Sequence, residues 1–491
     1  MSSFPRHPRP APVPLADATL GAHRGRVRVP AYDRSVITPS VVHIGVGGFH
    51  RAHQAVYLDE LAQRGITTDW GIVGVGLRRR DMKDALAPQD HLYTVVERGA
   101  GEDRARVVGT LLGCLFGPEE PAAVHAALSD PRTRLVTLTI TGSAYHPRPG
   151  SGSSHVASAF DYLSEALDQR RREGLAPFTV LSCDNLPENG AAARTATLAA
   201  ARRRNELLAG WIARNVAFPS SVVDRITPET TKATRDLVAR RFGIADRWPV
   251  VTEPFTQWVI EDAFCNERPP LEELGVRFVA DVRPYAHVKK RMLNGGHCAL
   301  GYLGCLLGHH TTDAAMADPL VRRYMEGLLA DEIEPLLPAV AGLDLAEYRG
   351  TLLDRFANPN LGDQLARLCG RGSTKMPAYL LPSLRDARRR GRPHKLLVLA
   401  VASWLRYLRG VDLAGEAIAI RDDRLHELKP PALAGGDDPL PLLSVRSIFG
   451  TLGDDLTVVD SIEQALQEMR RDGLRATLER HLTGEAARAA A

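Results

Sequence analysis

Residues 41–65 read VVHIGVGGFHRAHQAVYLDELAQRG. An apolar burst, Val41 to Ile44, runs into a glycine turn and is followed by apolar residues at helical spacing, the order strand, turn, helix that opens a dinucleotide-binding fold. Gly45 and Gly47 have the G-x-G spacing of that turn, whereas His50 stands where the third glycine of G-x-G-x-x-G belongs. An incomplete fingerprint alone is weak, because many glycine turns bind nothing. The entering strand and leaving helix strengthen it, since a helix start offers unpaired N–H groups and a positive dipole end to a pyrophosphate. Gly45, Gly47, Gly48 and Phe49 are therefore the expected cofactor-binding residues of the turn.

Further along, WGIVGVGLRRRD reads as a second strand, and TRLVTLTIT from Thr133 and FTVLSCDN from Phe178 as buried strands separated by helical segments such as AAVHAALSD. Strands alternating with helices mean a parallel sheet. The end of the second strand chooses between NAD and NADP: a carboxylate there binds ribose hydroxyls, an arginine favours a 2′-phosphate. Arg80 and Asp81 offer both, so the choice stays open at this point; the cofactor expected is NAD, with NADP possible. Strand signals thin out after RFVADVRPYAHV, and beyond it come apolar-periodic helices, among them HKLLVLAVASWLRYLRG and IEQALQEMRRDGLRATLERHL, with GGDDPLPL around Gly435 as a surface loop. The fold class is α/β: an N-terminal Rossmann-type parallel-sheet domain, residues 1–286, followed by a mostly α-helical C-terminal domain, residues 287–491.

The 491 residues are 44% hydrophobic and 24% charged, which suits two or more globular domains. A formal net charge of only +4 gives no reason to expect nucleic acid or an anionic membrane as partner. No apolar run is long enough for a bilayer span, and the proline-rich start, MSSFPRHPRPAPVPLADATLG, lacks a signal-peptide core and reads as a loose arm. Six cysteines are scattered without a C-x-x-C pair, against a structural zinc site or a disulfide framework. The expectation is a cytoplasmic protein without metal, monomeric for want of any coiled-coil pattern.

The stretch HVKKRMLNGGH, His287 to His297, carries Lys289, Asn294 and His297 in a helix-compatible run. At about 100° per residue, Asn294 lies roughly 140° around from Lys289 and His297 roughly 80°, one broad face, with the outer pair about 12 Å apart along the axis. Such a face is by itself more often solvated surface than a site.

Four motifs together change that balance: IGVGGFHRAHQ from Ile44, SCDNLPENG from Ser182, FPSSVVDRITP from Phe218 and the K-x-x-x-x-N-x-x-H of Lys289. With EPFTQWVIED from Glu253 and RGSTKMP from Arg371, they resemble the mannitol dehydrogenase family of polyol-specific long-chain dehydrogenases over nearly the whole chain. The resemblance implies zinc-independent, NAD(P)-dependent oxidation of a secondary alcohol in an open-chain polyol, mannitol to fructose or a relative such as arabinitol, in the cleft between a Rossmann-type and a helical domain. It implies Lys289 as catalytic base, Asn185 and Asn294 as its partner asparagines, His297 as substrate-binding histidine and Asp224 as the aspartate of the VDR motif. Arg367 and Lys375 match positions that line the polyol site. Partners are then a small polyol and its ketose.

Two departures from the family pattern bear on substrate and proton path. Ala286 replaces a carboxylate, leaving proton exit to water or to His287, and Ile140-Thr141-Gly142-Ser143-Ala144-Tyr145, followed by PRPGSGSSH, replaces an I-T-E-x-x-Y turn. Two other functions stay open on the sequence: a hexuronate reductase of the same family, acting on a keto sugar acid such as fructuronate, and a dinucleotide-binding sensor without turnover.

Overall fold

The structure is a computed structural model that describes residues 11–99, 101–145 and 158–489. The chain divides into two compact units, Met1–Arg283 and Pro284–Ala491.

The first unit is built on five strands: β1 (Pro39–Ile44), β2 (Gly71–Gly76), β3 (Leu111–Phe116), β4 (Leu135–Leu138) and β5 (Thr179–Ser182). All neighbours pair in parallel, in the order β3-β2-β1-β4-β5. This is the doubly wound order, in which the chain reverses direction across the sheet between β1 and β4 and leaves a crevice at their carboxyl ends. Alternate residues explain why the strands are apolar throughout. Val42, Ile44, Val136, Leu138 and Val180 pack against one helical layer, while Val41, Ile72, Leu111, Leu135 and Leu181 pack against the other, which includes Gln54–Gln63.

Three smaller sheets complete the unit, two of them mixing parallel with antiparallel pairs: Tyr93–Glu97 with Arg104–Val108 and Val250–Thr252, and Gln257–Glu261 with Ser221–Asp224 and Arg277–Val279. Sequence periodicity does not separate these from the main sheet, because a short apolar run looks alike in either. In RFVADVRPYAHV the strand ends at Val279, and helix begins at Arg283. Within the N-terminal arm, Val13–Pro14 pairs in parallel with Ile244–Ala245. The PRPGSGSSH stretch lies outside the described residues.

The second unit is helical. Lys395–Tyr407 is buried nearly all round, and its first turn is capped from a distance, the buried Glu332 carboxylate accepting from the N–H groups of Leu396 (2.9 Å) and Leu397 (2.7 Å). In the segment read as a loop around Gly435, residues 436–439 do form the loop, and it is shorter than expected, bounded directly by helices Leu425–Gly435 and Leu440–Leu443. Leu428 and Ala432, buried at a four-residue spacing, show the apolar face that the prolines and glycines of the stretch obscure.

Candidate active site

β1 delivers the chain to Gly45, which adopts φ +104°, a conformation open to glycine and costly for other residues. A side chain there is excluded twice over, since a Cβ would stand 2.2 Å from the Thr139 carbonyl oxygen at the end of β4. The same closeness ties the two strand ends together: the Thr139 N–H donates to Ile44 O (3.0 Å), and Thr139 Oγ1 donates to Gly45 O (2.7 Å), while the Gly45 N–H donates to Val75 O of β2 (2.8 Å). Gly47 and Gly48 differ, with nothing closer than 3.7 Å to a Cβ at either, so there is room beside the backbone at the start of helix Gly48–Ala52. That cradle fits a pyrophosphate. Phe49, half-buried, stacks on His53 at 5.0 Å.

His50 has the place of the missing third glycine because it points inward. Its ring stacks on His43 of β1, centroids 3.4 Å apart and planes 5° from parallel, both rings buried. His43 is bonded to Thr137 Oγ1 (2.7 Å) and Thr139 Oγ1 (2.9 Å). Burial pulls His43 down to about 3 and holds His50 well below the ordinary imidazole range, with His43 and Arg51 adding to the effect. Two neutral rings thus fill the space under the turn.

At the end of β2, Arg80 is exposed and bound to Asp84 (2.9 Å) and Glu119, and Asp81 is bound to Arg79. Both arginines are therefore already matched with carboxylates.

Asn185 follows β5 at an exposed position, and its predecessor Asp184 is buried. The Asp184 carboxylate accepts from the N–H groups of Ile140 (3.0 Å) and Thr141 (2.8 Å) and from the Tyr145 hydroxyl (2.7 Å). It holds the altered turn after β4, including Thr141 at φ +71°, a conformation rare for a β-branched residue. Asn189 completes the clamp: its amide nitrogen donates to Asp184 O (3.0 Å) and Ser221 O (2.9 Å), and its oxygen accepts from Ser221 N–H (3.0 Å). Asn185 is thereby fixed to the strand Ser221–Asp224, whose last residue is the buried Asp224. Arg225 bonds Ala52 O (2.5 Å), Glu253 O (3.0 Å) and Glu97 (2.5 Å), fastening the helix after the glycine turn to two other segments.

In the second unit, Lys289, Asn294 and His297 lie on one continuous helical run whose geometry departs from the α-helix assumed above. Residues Lys290–Asn294 form a π-turn between α-helices Arg283–Lys289 and Gly295–Leu306, closed by the Gly295 N–H to Lys290 O. An i→i+5 turn advances only roughly 80° per residue, which swings Asn294 to about 45° from Lys289 and gathers all three side chains within roughly 60° instead of 140°. Arg291 anchors the turn from its other side, donating to Ser383 Oγ (2.9 Å) and Asp386 Oδ2 (2.8 Å).

Lys289 is buried, at 8% exposure. Asn294 Nδ2 and His297 Nε2 are buried atoms with no hydrogen-bond partner. Such orphans are costly unless a ligand serves them. His297 packs its ring on Phe356 (4.7 Å) and is held neutral by burial, then by the charges of Arg367, Arg355, Lys375 and Lys289. The structure thus brings the sequence-predicted Lys289, Asn294, His297, Arg367 and Lys375 into one neighbourhood. Arg367 is paired with Asp363 (2.7 Å), and Lys375 donates to Leu368 O (2.9 Å) and Arg367 O (3.2 Å). Burial pushes Lys375 below the usual lysine range. Asp184, Asn189, Arg355 and the π-turn are beyond the sequence reading. For Asp184 and Asn189 the only signal is their place inside SCDNLPENG, since most of their partners are backbone atoms of distant segments.

A parallel sheet in this order, with a glycine turn at its point of reversal, defines a dinucleotide-binding protein of the Rossmann class. Residues 39–273 match the family description Mannitol dehydrogenase Rossmann domain, and residues 281–470 match Mannitol dehydrogenase C-terminal domain. The mannitol 2-dehydrogenase of Aspergillus fumigatus is 43% identical over 480 residues, covering 93% of this chain and 96% of that protein. The Pseudomonas fluorescens mannitol 2-dehydrogenase, solved as a ternary complex with NAD and D-mannitol, superposes with a TM-score of 0.85 at 40% identity, over 96% of this chain and all (100%) of that one. A substrate-free D-sorbitol dehydrogenase superposes with a TM-score of 0.86 at 34% identity, over 94% and 100%. The chain belongs to the mannitol dehydrogenase family.

Proposed function

We propose that this protein is an NAD-dependent polyol dehydrogenase that oxidises mannitol, or a stereochemical neighbour such as arabinitol, to the ketose, with Lys289 as general base and no zinc. In this reading residues 1–286 hold the dinucleotide, and residues 287–491 supply the base and most of the substrate contacts. The observation that carries it is the Lys289 face: a buried lysine beside an amide nitrogen and an imidazole nitrogen that lack protein partners. The relatives' names, and the NAD and D-mannitol bound in one of them, point the same way.

Alcohol oxidation removes the hydroxyl proton as hydride leaves the same carbon. When bound, the nicotinamide accepts that hydride. A lysine in water keeps its proton to about pH 10, and burial is the usual means of making it a base near neutrality. Lys289 takes the hydroxyl proton. Asn185 and Asn294 donate to the oxygen as charge gathers there, the task of an oxyanion hole. His297, neutral, binds a neighbouring hydroxyl through Nε2 and so selects the carbon that reacts, while Asp224 orders the hydroxyl network. With Ala286 in place of a carboxylate, the proton leaves Lys289 through water. His287 is the poorer relay, because two positions away on the helix Arg283–Lys289 it points roughly 160° from Lys289.

NAD is favoured over NADP because Arg79 and Arg80 are neutralised by Asp81, Asp84 and Glu119. The rival hexuronate substrate requires a cation for its carboxylate. Arg367 is engaged by the Asp363 carboxylate, which weakens it as a partner for a substrate carboxylate and favours the neutral polyol. A sensor without turnover has no use for a buried base and two amide donors. The test is nicotinamide absorbance with NAD and NADP against mannitol, arabinitol, sorbitol and xylitol, and with fructose and fructuronate in reverse, before and after dialysis against a chelator. Turnover on one polyol with NAD, unchanged by the chelator, is expected. Activity on fructuronate alone transfers the chain to the hexuronate reading, and silence throughout overturns both.

A further inference from the structure

The second unit contains a pair of thiols that the mechanism does not use. Cys305, near the end of helix Gly295–Leu306, and Cys369, the last residue of helix Leu365–Cys369, stand with their sulfurs 3.6 Å apart although 64 residues separate them in sequence. The two helices meet closely because glycines line the contact: a Cβ at Gly304 would be 2.7 Å from Leu365 Cδ1, and one at Gly301 3.2 Å from the Cys369 sulfur. We propose that Cys305 and Cys369 form a peroxide-sensitive dithiol that closes to an intrachain disulfide.

The pair is asymmetric in the way such chemistry needs. Cys305 is half-buried and within reach of a small oxidant, whereas Cys369 is buried. The hydrogen bond from Cys369 draws the Cys305 thiol below its ordinary range, and burial holds Cys369 well above it. Cys298, on the same helix, is buried and pushed up to about 12. The Cys305 thiolate attacks a peroxide oxygen; the O–O bond breaks, and the departing oxygen takes a proton and leaves as water or an alcohol. The resulting sulfenic acid is attacked by the Cys369 sulfur, whose proton leaves with the displaced hydroxide as water. Two thiols lose two electrons and the peroxide gains them. Closure draws the sulfurs together by about 1.5 Å, a small movement for the end of a five-residue helix.

The test treats the intact protein with hydrogen peroxide, titrates free thiols and maps linked peptides by mass spectrometry, with Cys305→Ser and Cys369→Ser alongside. Expected are the loss of two of the six thiols, a linked peptide pair containing Cys305 and Cys369, full recovery with dithiothreitol, and no linkage in either variant. No thiol loss, a linkage that includes Cys298, or irreversible oxidation of Cys305 without linkage overturns the proposal. None of these readouts depends on polyol turnover.

Discussion

The glycine turn of the first unit and the Lys289 helix of the second are built on opposite principles. Around the glycine turn the groups proposed to face the dinucleotide are peptide N–H groups, and the side chains near them, Asp184, Asn189, Arg225 and His43, are spent on fastening segments of main chain. On the helix the backbone is already satisfied by helical bonds, and the groups proposed to face the polyol are side chains, two of them with buried atoms that have no protein partner. A site made of backbone tolerates no side chain where the chain passes close to itself; a site made of side chains tolerates no truncation. The two should therefore fail differently.

The largest effect is expected at Gly45→Ala. The added methyl meets a carbonyl oxygen at 2.2 Å in a conformation alanine resists, and β1 and β4 must separate at the centre of the sheet. A loss of about 5 kcal/mol or more in unfolding free energy is expected, beyond the usual range for single substitutions, measurable by urea denaturation. A stable protein that binds NADH normally would mean that the strand ends are not held as tightly as this contact demands.

Lys289→Ala should be the reverse: folding and NADH binding nearly unchanged, turnover at neutral pH reduced by up to about 10⁴, the scale of a lost general base. Near-wild-type turnover would assign the proton to another group. Asn294→Ala follows, with kcat lower by about 10² to 10³, or roughly 2.7 to 4 kcal/mol, as for loss of one oxyanion donor. A rise in KM with kcat unchanged would make Asn294 a ground-state binding group instead.

The same contrast explains what the sequence discloses. β1 and its turn are legible because burial on both faces forces an apolar run, and because Gly45 must be glycine whatever surrounds it. The identities of Lys289, Asn294 and His297 are legible as a spacing, but their convergence is not. The π-turn depends on a bond from Gly295 to Lys290 and on Arg291 reaching Ser383 and Asp386, nearly a hundred residues away, and ideal helix geometry spreads the three over more than twice the arc. Asp184 and Asn189 are hidden for a related reason, since they bond mainly to peptide groups of distant segments, and peptide groups carry no sequence signature. His50 shows the limit of motif reading: an apparent defect in the fingerprint is the residue that fills the space beneath it.

That buried histidine pair offers the mildest test of the backbone-built half. An unfolded histidine takes a proton near pH 6.5, whereas His43 in the fold does so only at about 3, and burial likewise holds His50 well below the ordinary imidazole range. As pH falls below 6.5 the unfolded chain binds protons that the native chain refuses, so stability conferred by keeping the rings neutral is fully present above 6.5 and is lost progressively toward 3. Each histidine contributes up to about 1.4 kcal/mol per pH unit. Between pH 7 and pH 5 the pair should cost about 4 kcal/mol of unfolding free energy. His50→Phe keeps a flat ring against His43 and removes one titration, so its loss over the same interval should be smaller by about 2 kcal/mol, whatever the substitution does to stability at pH 7. The difference in slope is the quantity to measure, by urea unfolding at the two pH values. Identical slopes in the two proteins would mean that His50 takes up its proton in the folded chain as readily as in the unfolded one, and that the space under the glycine turn admits charge.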